Sequence, residues 1–355
     1  MKNALLIGGG GTLGLYTAQE LLKLGYRVDD ICLEKMQSDH PALRFICAQA
    51  DDALLRALFS EKRYDVIVDY LWYKKAEDWC GKRSDLLLDH TDQLFFLSSY
   101  RVYGPAEGSI REDTPQWLDV TRDPYLLQAE SYALPKSRCE KYLRACGREN
   151  WTIVRPVISF SHFRLDLVTL PSGILLDRIL RKKTILLPQG AKSLTAGVGW
   201  AGNIGKMIAA LAGKEAALGE DFTLGSGENK TWGEVAGYYE RLFGARFAWV
   251  DGVDYIRSAT GGMLPDCWIT IYDRLLDRAI DNGKMLRVTG LTMDDFVKIP
   301  EALEMEMNAL LAHPEWKARM LAEANPTVPF NEIVKAQFAA AQVRLAAARV
   351  RQALP

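Results

Sequence analysis

A tyrosine and a lysine four residues apart are the side chains best placed to do chemistry in this sequence. On a helix, Tyr132 and Lys136 would project from one face into the same cleft. A cation beside a phenol favours the phenolate and lowers its pKa from about 10. A phenolate can take a proton from an alcohol while hydride leaves the same carbon. The spacing alone more often marks a surface pair, but two further signals favour the catalytic interpretation.

The first of these signals is a hydroxyl group that follows an apolar run at residues 94–97. A strand is predicted to end there, which places Ser99 at the edge of a sheet. In this position a hydroxyl can hold a substrate oxygen while charge develops on it. Ser99, Tyr132 and Lys136 are therefore the candidate catalytic residues.

The second signal is a glycine-rich turn between a short apolar run at residues 4–7 and a helical pattern at residues 13–24. Residues without a Cβ allow a sharp turn, let backbone N–H groups approach a pyrophosphate, and let the helix pack close to the sheet. The positive end of the helix dipole favours the same anion. The turn predicts a dinucleotide site, unless it merely closes a βα unit. The predicted contacts are Gly8, Gly11, Thr12, Leu13 and Gly14.

The end of the second predicted strand, at residues 28–33, should select the dinucleotide. An acidic side chain there hydrogen-bonds the adenosine ribose and repels a 2′-phosphate. Glu34 is the candidate, with Cys32 or Leu33 as alternatives for the position. Since no Arg or Lys lies inside the glycine turn, NAD is favoured and NADP stays open. Gln49, after the third predicted strand, is a candidate contact for the adenine edge.

Alternating strand and helix patterns in the first half of the chain would position these residues. This alternation predicts right-handed crossovers and an α/β fold with a doubly wound parallel sheet of the Rossmann type. After Pro156 the pattern becomes irregular, and it is helical from residue 300 to residue 355. We predict an NAD(P)-binding Rossmann domain at 1–158 with a returning segment at about 197–226. A smaller, mainly helical substrate-binding part, with a helical C-terminal extension, is predicted at 159–196 and 227–355.

Composition and charge limit the classes of function. The 355 residues carry 44 Lys and Arg against 45 Asp and Glu, a net charge of −1. This balance argues against binding nucleic acid, which needs a cationic excess, and against a polybasic membrane anchor. No run approaches the roughly 20 apolar residues of a membrane helix, and the apolar start is too short for a signal peptide. We expect a cytoplasmic protein that contacts neither nucleic acid nor membrane.

The six cysteines form no C-x-x-C motif and stand at no metal-ligand spacing beside a histidine. A disulfide or zinc framework is therefore not expected, and no metal site is predicted. Buried, reduced thiols are the simpler interpretation.

Four motifs together resemble the extended short-chain dehydrogenase/reductases. They are the glycine turn, Ser98-Ser99 followed by Val102-Tyr103-Gly104, Tyr132-x-x-x-Lys136, and Val154-Arg155-Pro156. More narrowly, the chain is similar to the NAD-dependent epimerase/dehydratase group that acts on nucleotide sugars, over roughly residues 4–300. The resemblance implies that Ser99, Tyr132 and Lys136 are the catalytic triad and that Lys136 also binds the nicotinamide ribose.

The same resemblance implies further contacts and an assembly. Leu71, after the fourth predicted strand, would cover the cofactor. The nicotinamide end would meet Pro156, Val157 and Ile158. Helices near residues 79–88 and 131–148 would form the bundle through which this family makes homodimers.

Two positions depart from the family pattern. In its 4,6-dehydratases an Asp-Glu pair follows the strand-end hydroxyl residue, whereas Tyr100 and Arg101 stand here. Neither can serve as the paired acid and base at neutral pH, which argues against a 4,6-dehydratase. Arg101 can instead form two parallel hydrogen bonds with an anionic substrate group such as a carboxylate, or it can form a structural ion pair. Pro135 requires the helix of Tyr132 to begin close by, since the missing N–H then costs nothing.

The expected activity is therefore an NAD(P)-dependent epimerase reaction at a secondary alcohol of a sugar or nucleotide sugar, through a transient keto intermediate. The alternatives are a net reductase or dehydrogenase of the same fold, and a non-enzymatic cofactor-sensing or RNA-associated protein. The sequence leaves open the sugar, the nucleotide and the reacting carbon. The predicted substrate contacts are Ser99, Tyr100, Arg101 and, in the later region, Arg164.

Overall fold

The computed structural model describes residues 2–129, 132–168, 170–250 and 270–323. The chain divides into two compact units. Unit 1 comprises Met1–Ser161, Gly197–Gly227 and Ile280–Ile299. Unit 2 comprises His162–Ala196, Glu228–Ala279 and Pro300–Pro355.

One segment falls in a different unit from the one that the sequence suggests. Residues 280–299 belong to unit 1, whereas the prediction grouped them with 227–355. The side chain of Asn282 explains this placement. Its amide donates to Gly225 O at 3.0 Å and accepts from Gly225 N at 2.9 Å, which ties the segment to the end of a sheet strand. The predicted C-terminal extension beyond residue 323 lies outside the described residues.

Unit 1 is built on a seven-stranded sheet in which all neighbouring strands run parallel. Its strands are β1 (Asn3–Ile7), β2 (Arg27–Cys32), β3 (Leu43–Cys47), β4 (Tyr64–Asp69), β5 (Thr91–Leu97), β6 (Trp151–Pro156) and β10 (Glu220–Leu224). The strand order is β3-β2-β1-β4-β5-β6-β10. From β1 the chain adds β2 and β3 on one side and then β4, β5, β6 and β10 on the other. This is the doubly wound Rossmann arrangement, extended by one strand, and it confirms the predicted fold class. Two short strands, β7 (Ile158–Phe160) and β9 (Val198–Trp200), pair separately.

Helices cover both faces of this sheet. The helices of unit 1 are α1 (Thr12–Lys23), α2 (Asp52–Glu61), α3 (Lys82–Asp89), α4 (Trp117–Val120), α5 (Pro124–Ala129), α6 (Ala133–Ala145), α8 (Ala201–Leu211) and α10 (Gly283–Thr289). Side chains of α2, α3 and α6 form one core cluster with strand residues such as Leu5, Ile67 and Phe96. Elsewhere α1 packs on α8. Gly205 allows that approach, since a Cβ there would lie 2.8 Å from Thr17 N.

Unit 2 is smaller and mainly helical. Its parallel strands are β8 (Thr184–Pro188) and β11 (Arg246–Val250). Its helices are α7 (Ser172–Leu180), α9 (Trp232–Phe243), α11 (Ile299–Ala312, whose first residue belongs to unit 1) and α12 (Pro314–Glu323). A capping box fixes the start of α9, because Thr231 Oγ1 accepts from Glu234 N and the Glu234 carboxylate accepts from Thr231 N.

The five described cysteines are free thiols, and two of them lie close together. Cys80 Sγ, in the chain before α3, donates to Cys139 Sγ of α6 at 3.7 Å. No group of three or more His, Cys, Asp or Glu side chains within the described ranges is arranged to hold a metal ion. Among the helices described above, none has the length and apolar composition needed to cross a membrane.

Candidate active site

The glycine turn joins β1 to α1 at the carboxyl edge of the sheet. Gly8 has φ +78°, a conformation that favours glycine, and its N–H donates to Ile31 O at 2.8 Å. Gly14 is needed for packing, because a Cβ there would lie 2.1 Å from Gly9 O. Thr12 and Leu13 are the first two residues of α1. The turn thus brings the N-terminus of α1 to the sheet edge, as the sequence predicts.

Gly11 differs from the other glycines of the turn. It precedes α1 with φ −94° and ψ −171°, which any residue can adopt. A Cβ on Gly11 would meet no described atom within 4 Å. Neither local conformation nor packing within the described chain therefore requires glycine here. The open space in front of Gly11 fits a turn over which a pyrophosphate lies.

The end of β2 does not carry the predicted acid. β2 ends at Cys32, and Glu34 lies two residues further on with an exposed side chain. It is Cys32 that adjoins the turn, since a Cβ on Gly10 would lie 2.7 Å from Cys32 Cβ. Burial, together with Asp30 and other neighbours, raises the pKa of the Cys32 thiol to about 11, which keeps it neutral. A neutral thiol does not repel a 2′-phosphate as a carboxylate would.

Two adjacent acids in β2 point to opposite faces of the sheet and have opposite surroundings. Asp29 accepts hydrogen bonds from Arg44 at 2.9 Å and from Tyr64 at 2.6 Å, and pairs with Lys62 at 2.8 Å. Burial alone would raise the pKa of Asp29, but these partners hold it below its usual value.

Asp30 is fully buried against the glycine turn. A Cβ on Gly9 would lie 2.5 Å from both carboxylate oxygens of Asp30. The Gly9 backbone N–H lies against this carboxylate and acts to lower its pKa, but neither oxygen has a hydrogen-bond partner of ordinary geometry among the described residues. Burial therefore raises the pKa of Asp30 to about 7.

A buried carboxylate orders the chain that follows β4. Asp69 accepts hydrogen bonds from Leu71 N at 3.1 Å, Tyr73 Oη at 3.0 Å and Trp79 Nε1 at 2.8 Å. The Leu71 side chain is thereby held against the glycine turn, where its Cδ2 lies 2.8 Å from the position of a Cβ on Gly8. Leu71 thus lies beside Gly8 of the turn, and its contact with a cofactor stays a prediction. The next residue, Trp72, is half exposed.

The tyrosine and lysine of the predicted pair lie at the start of helix α6, with Lys136 inside it and Tyr132 just before it. Tyr132 immediately precedes the helix, and Pro135 is its third residue, where no intrahelical hydrogen bond is lost. The Nζ of Lys136 donates to Leu97 O at 2.5 Å and to Ser98 O at 3.3 Å, which ties it to the carboxyl end of β5. The same Nζ lies 5.1 Å from the centroid of the Tyr132 ring.

Two further side chains surround the Tyr132 ring. The guanidinium carbon of Arg101 lies 4.5 Å from the ring centroid. The ring of Trp72 lies 6.2 Å away, centroid to centroid, at an interplanar angle of 50°. Tyr132 therefore stands among two cations and an exposed indole.

Ser99 and Arg101 come from the short turn that follows β5. Ser99 caps the 3-10 turn Tyr100–Val102, and its Oγ accepts from Arg101 N at 3.3 Å. This turn packs on α6, so the strand end, Arg101 and Tyr132 meet in one place. Tyr100 is only 1% exposed, which leaves little of its side chain accessible to a substrate.

A buried ionic network joins α6 to β6. The guanidinium of Arg155, which is wholly buried, contacts both carboxylate oxygens of Glu140 at 3.0 and 2.6 Å. It also pairs with Asp221 at 2.7 Å and donates to Tyr103 Oη at 2.6 Å. Ser98 donates to Glu140 from the end of β5. Burial acts to lower the pKa of Arg155, but its acidic partners hold it well above the ordinary value.

The remaining predicted site residues lie in several settings. Pro156 ends β6, Val157 N donates to Leu224 O at 2.9 Å, and Ile158 begins β7, so all three follow the sheet edge. Gln49 is exposed between β3 and α2. Arg164 belongs to unit 2, where its Nε pairs with Asp166 at 2.7 Å.

Sequence reasoning missed three residues of this region. Trp72 is the aromatic neighbour of Tyr132, Asp30 lies under the glycine turn, and Glu140 is the acid that binds Arg155. Glu140 could have been found, because it stands four residues after Lys136 and so shares its helix face. Nothing in the sequence marks the positions of Trp72 and Asp30 beside the site.

Comparison with known proteins identifies the fold. Neither a protein-family model nor a curated protein matches the sequence. Among solved structures, dTDP-glucose 4,6-dehydratase from Bacillus anthracis, in complex with NAD, has a TM-score of 0.67 at 18% identity, over 90% of this chain and 100% of that chain. UDP-glucuronic acid 4-epimerase from Bacillus cereus, in complex with UDP-glucuronic acid and NAD, has a TM-score of 0.63 at 17% identity, over 87% and 99%.

An epimerase from Methanothermobacter thermautotrophicus has a TM-score of 0.63 at 16% identity, over 90% of this chain and 94% of that chain. These TM-scores establish a common fold over nearly the whole length of each chain. At identities this low, the similarity shows the fold alone.

Proposed function

We propose that this chain, which has the fold of sugar epimerases and dehydratases, is an NAD-dependent enzyme of the extended short-chain dehydrogenase/reductase family. It would oxidise a secondary alcohol of a nucleotide sugar transiently and reduce the keto intermediate again, as an epimerase does. One observation carries the proposal. Lys136 is bonded to the last carbonyls of β5 and lies 5.1 Å from the Tyr132 ring, at the sheet edge where the glycine turn opens.

The residues at this edge fit a dinucleotide. The N-terminus of α1 offers backbone N–H groups and the positive end of the helix dipole to a pyrophosphate. The space in front of Gly11 is open, and Leu71 packs beside it on Gly8. NAD is the proposed cofactor, as in the two Bacillus structures. Because Cys32 rather than Glu34 adjoins the turn, discrimination against NADP would be weaker than a strand-end acid provides.

The proposed chemistry assigns one task to each catalytic side chain. NAD held at this edge would supply the hydride acceptor for oxidation of the alcohol and the hydride donor for reduction of the ketone. Tyr132, as phenolate, takes the proton of the substrate hydroxyl and gives it back on reduction. Lys136 uses two of its three donors on Leu97 O and Ser98 O, which fixes its charge beside the phenol. Ser99 would hold the substrate oxygen.

The substrate would be a nucleotide sugar, since the Bacillus cereus structure holds UDP-glucuronic acid. Arg101 and Arg164 are the cations proposed to meet its anionic groups, and Trp72 offers an exposed ring beside Tyr132. A 4,6-dehydratase reaction is not proposed, despite the shared fold, because Tyr100 and Arg101 replace the acid pair. A homodimer through α3 and α6 is proposed from the family resemblance.

Cofactor binding can be tested with Gly11→Ala. Alanine can adopt the extended backbone of Gly11, and its Cβ would meet no described atom. The variant should therefore lose no more than about 1 kcal/mol of stability, a typical helix-cap effect. Its Cβ would occupy the open space, so the Kd for NAD in titration calorimetry should rise at least about tenfold, or about 1.4 kcal/mol. NADP, titrated in parallel, measures the selectivity.

Gly190→Ala is the matched control, since a Cβ there meets only Leu275 Cδ2 at 3.6 Å in unit 2. It should bind NAD as the wild type does. Wild-type NAD binding that Gly11→Ala leaves unchanged would place the cofactor elsewhere, and a wild type that binds no dinucleotide would overturn the proposal.

The reaction itself can be tested with a panel of UDP- and dTDP-sugars. An epimerase forms a new sugar isomer with no net change in NADH absorbance, whereas a net reductase consumes NADH stoichiometrically. Tyr132→Phe should abolish either reaction while NAD binding persists. Full activity in that variant contradicts the assigned mechanism.

A further inference from the structure

We propose that Arg101 is a second cation, beside Lys136, that stabilises the phenolate form of Tyr132. The ionisation of Tyr132 is a property of this chain alone. Its catalytic meaning rests on the proposed function.

The geometry places the two cations on the same ring from different elements. Arg101 reaches Tyr132 from the turn after β5, with its guanidinium carbon 4.5 Å from the ring centroid. Lys136 reaches it from α6, with Nζ at 5.1 Å. An opposite charge within about 4–6 Å favours the ionised form of an acid. Both cations therefore act in the same direction on the phenol.

The backbone holds Arg101 in this position. Its N–H donates to Ser99 Oγ at 3.3 Å, and the turn that carries it packs on α6. Ser99 and Arg101 are thus fixed together at the end of β5. A planar guanidinium is well suited to stack on an aromatic ring, and it stays charged at every pH at which a phenol titrates.

A further cation contacts the ring of Trp72. Lys74 Nζ lies 5.7 Å from the ring of Trp72, which in turn faces Tyr132. This adds a more distant positive charge. Glu130 precedes Tyr132 by two residues and lies outside the described part of the chain. Arg101 and Lys136 both lie within 5.1 Å of the centre of the Tyr132 ring.

At this position the 4,6-dehydratases that the chain resembles have an acid, whereas this chain has Arg101. An acid next to the phenol would oppose its ionisation, whereas Arg101 supports it. The consequence is a general base that is ionised at lower pH than one served by Lys136 alone. The expected contribution of Arg101 is a downward shift of about one pH unit in the titration of Tyr132.

Titration of the phenol by NMR tests the proposal without substrate or cofactor. Protein labelled with 13Cζ-tyrosine is titrated between neutral and alkaline pH, and the Tyr132 resonance is identified by its absence in Tyr132→Phe. In Arg101→Gln the resonance should titrate about one pH unit higher than in the wild type. Arg101→Lys, which keeps the charge, should restore most of the difference. Arg56→Gln, at an exposed position of α2, is the control and should change nothing.

Equal titration of Tyr132 in the wild type and Arg101→Gln would overturn the proposal and leave Arg101 a packing role. If Arg101→Gln does not fold, Lys136→Met gives a second test, since Arg101 then remains as the nearest cation. In that background, a further Arg101→Met change should raise the titration of Tyr132 by about one more pH unit, and no further rise overturns the proposal. NAD binding, measured separately on the wild type, shows whether the proposed function fails independently of this result.

Discussion

At the scale of single residues, neighbouring acids in β2 show how surroundings decide the cost of a charge. Asp29 and Asp30 differ by one position and therefore face opposite sides of the sheet. Asp29 is held by Arg44, Lys62 and Tyr64, whereas Asp30 lies buried against Gly9. Their pKa values move apart, that of Asp29 downward and that of Asp30 upward to about 7.

Asp30→Asn should stabilise the protein at alkaline pH. The unfolded chain releases the Asp30 proton near its usual value of 3.8, but the folded chain keeps it until about 7. The wild type therefore loses stability as pH rises between these values, by a total on the order of 4 kcal/mol. Urea unfolding at pH 5 and pH 8 should show that the advantage of Asp30→Asn over the wild type is larger at pH 8.

Asp29→Asn is the matched comparison and should behave in the opposite way. Because the pKa of Asp29 is lowered in the folded state, its contribution to stability is present above the unfolded value and is lost in acid. Removing its charge should therefore destabilise the protein at neutral pH. An identical pH dependence for the two variants would contradict this account.

At the scale of elements, α6 is held by a buried ion pair that its own sequence pattern does not predict. The helix carries Lys136 near its start and Glu140 one turn later. Glu140 meets the wholly buried guanidinium of Arg155 on β6, and Ser98 of the β5 end joins them. The helix is thereby fixed against two strand ends, which sets the position of Lys136 and the adjoining Tyr132.

Glu140→Gln should destabilise unit 1 strongly. It would leave the Arg155 guanidinium with Asp221 as its remaining ion-pair partner in the interior, and breaking a buried pair typically costs about 3–5 kcal/mol. Arg144→Met removes a half-exposed partner of the same acids and should cost no more than about 1 kcal/mol. Urea denaturation of both variants checks the difference, and equal losses would mean that the buried pair does not anchor α6.

The elements that the sequence predicted well are those with a local signal. The glycine turn, the strands before and after it and the start of α6 near Pro135 all follow from spacing and residue type. Arg155 illustrates what could not be predicted. It is the middle residue of the Val154-Arg155-Pro156 motif, yet its partner Glu140 lies on another element and Asp221 comes 66 residues later. The sequence also left open whether Cys32, Leu33 or Glu34 stands at the end of β2, and pairing with β3 ends at Cys32.

At the scale of the whole molecule, the assembly state is the property most open to measurement. Helices α3 and α6 would form the proposed dimer contact. Arg138 and Lys141 are exposed on α6, and Lys141 pairs with Asp119 of the same chain at 2.5 Å. These two exposed positions of α6 are thus charged, whereas the core of a permanent interface is depleted of charged residues.

Light scattering should show a homodimer of the 39.8 kDa chain. Arg138→Glu reverses a charge on the proposed contact and should weaken the dimer, because like charges would then face each other or an ion pair would be lost. Arg287→Glu makes the same change on an exposed position of α10 and should leave the dimer intact. A monomeric wild type, or equal effects of both variants, would rule out this mode of association.

The neighbouring thiols of Cys80 and Cys139 have a practical consequence for anyone who purifies the protein. Their sulfur atoms are 3.7 Å apart and need to approach to about 2.05 Å to join. Oxidation of the two thiols by hydrogen peroxide would form a disulfide and two water molecules. The disulfide would link α6 to the chain before α3. Samples handled without reductant would then mix cross-linked and reduced molecules, and any kinetic comparison of variants should begin with an intact-mass spectrum.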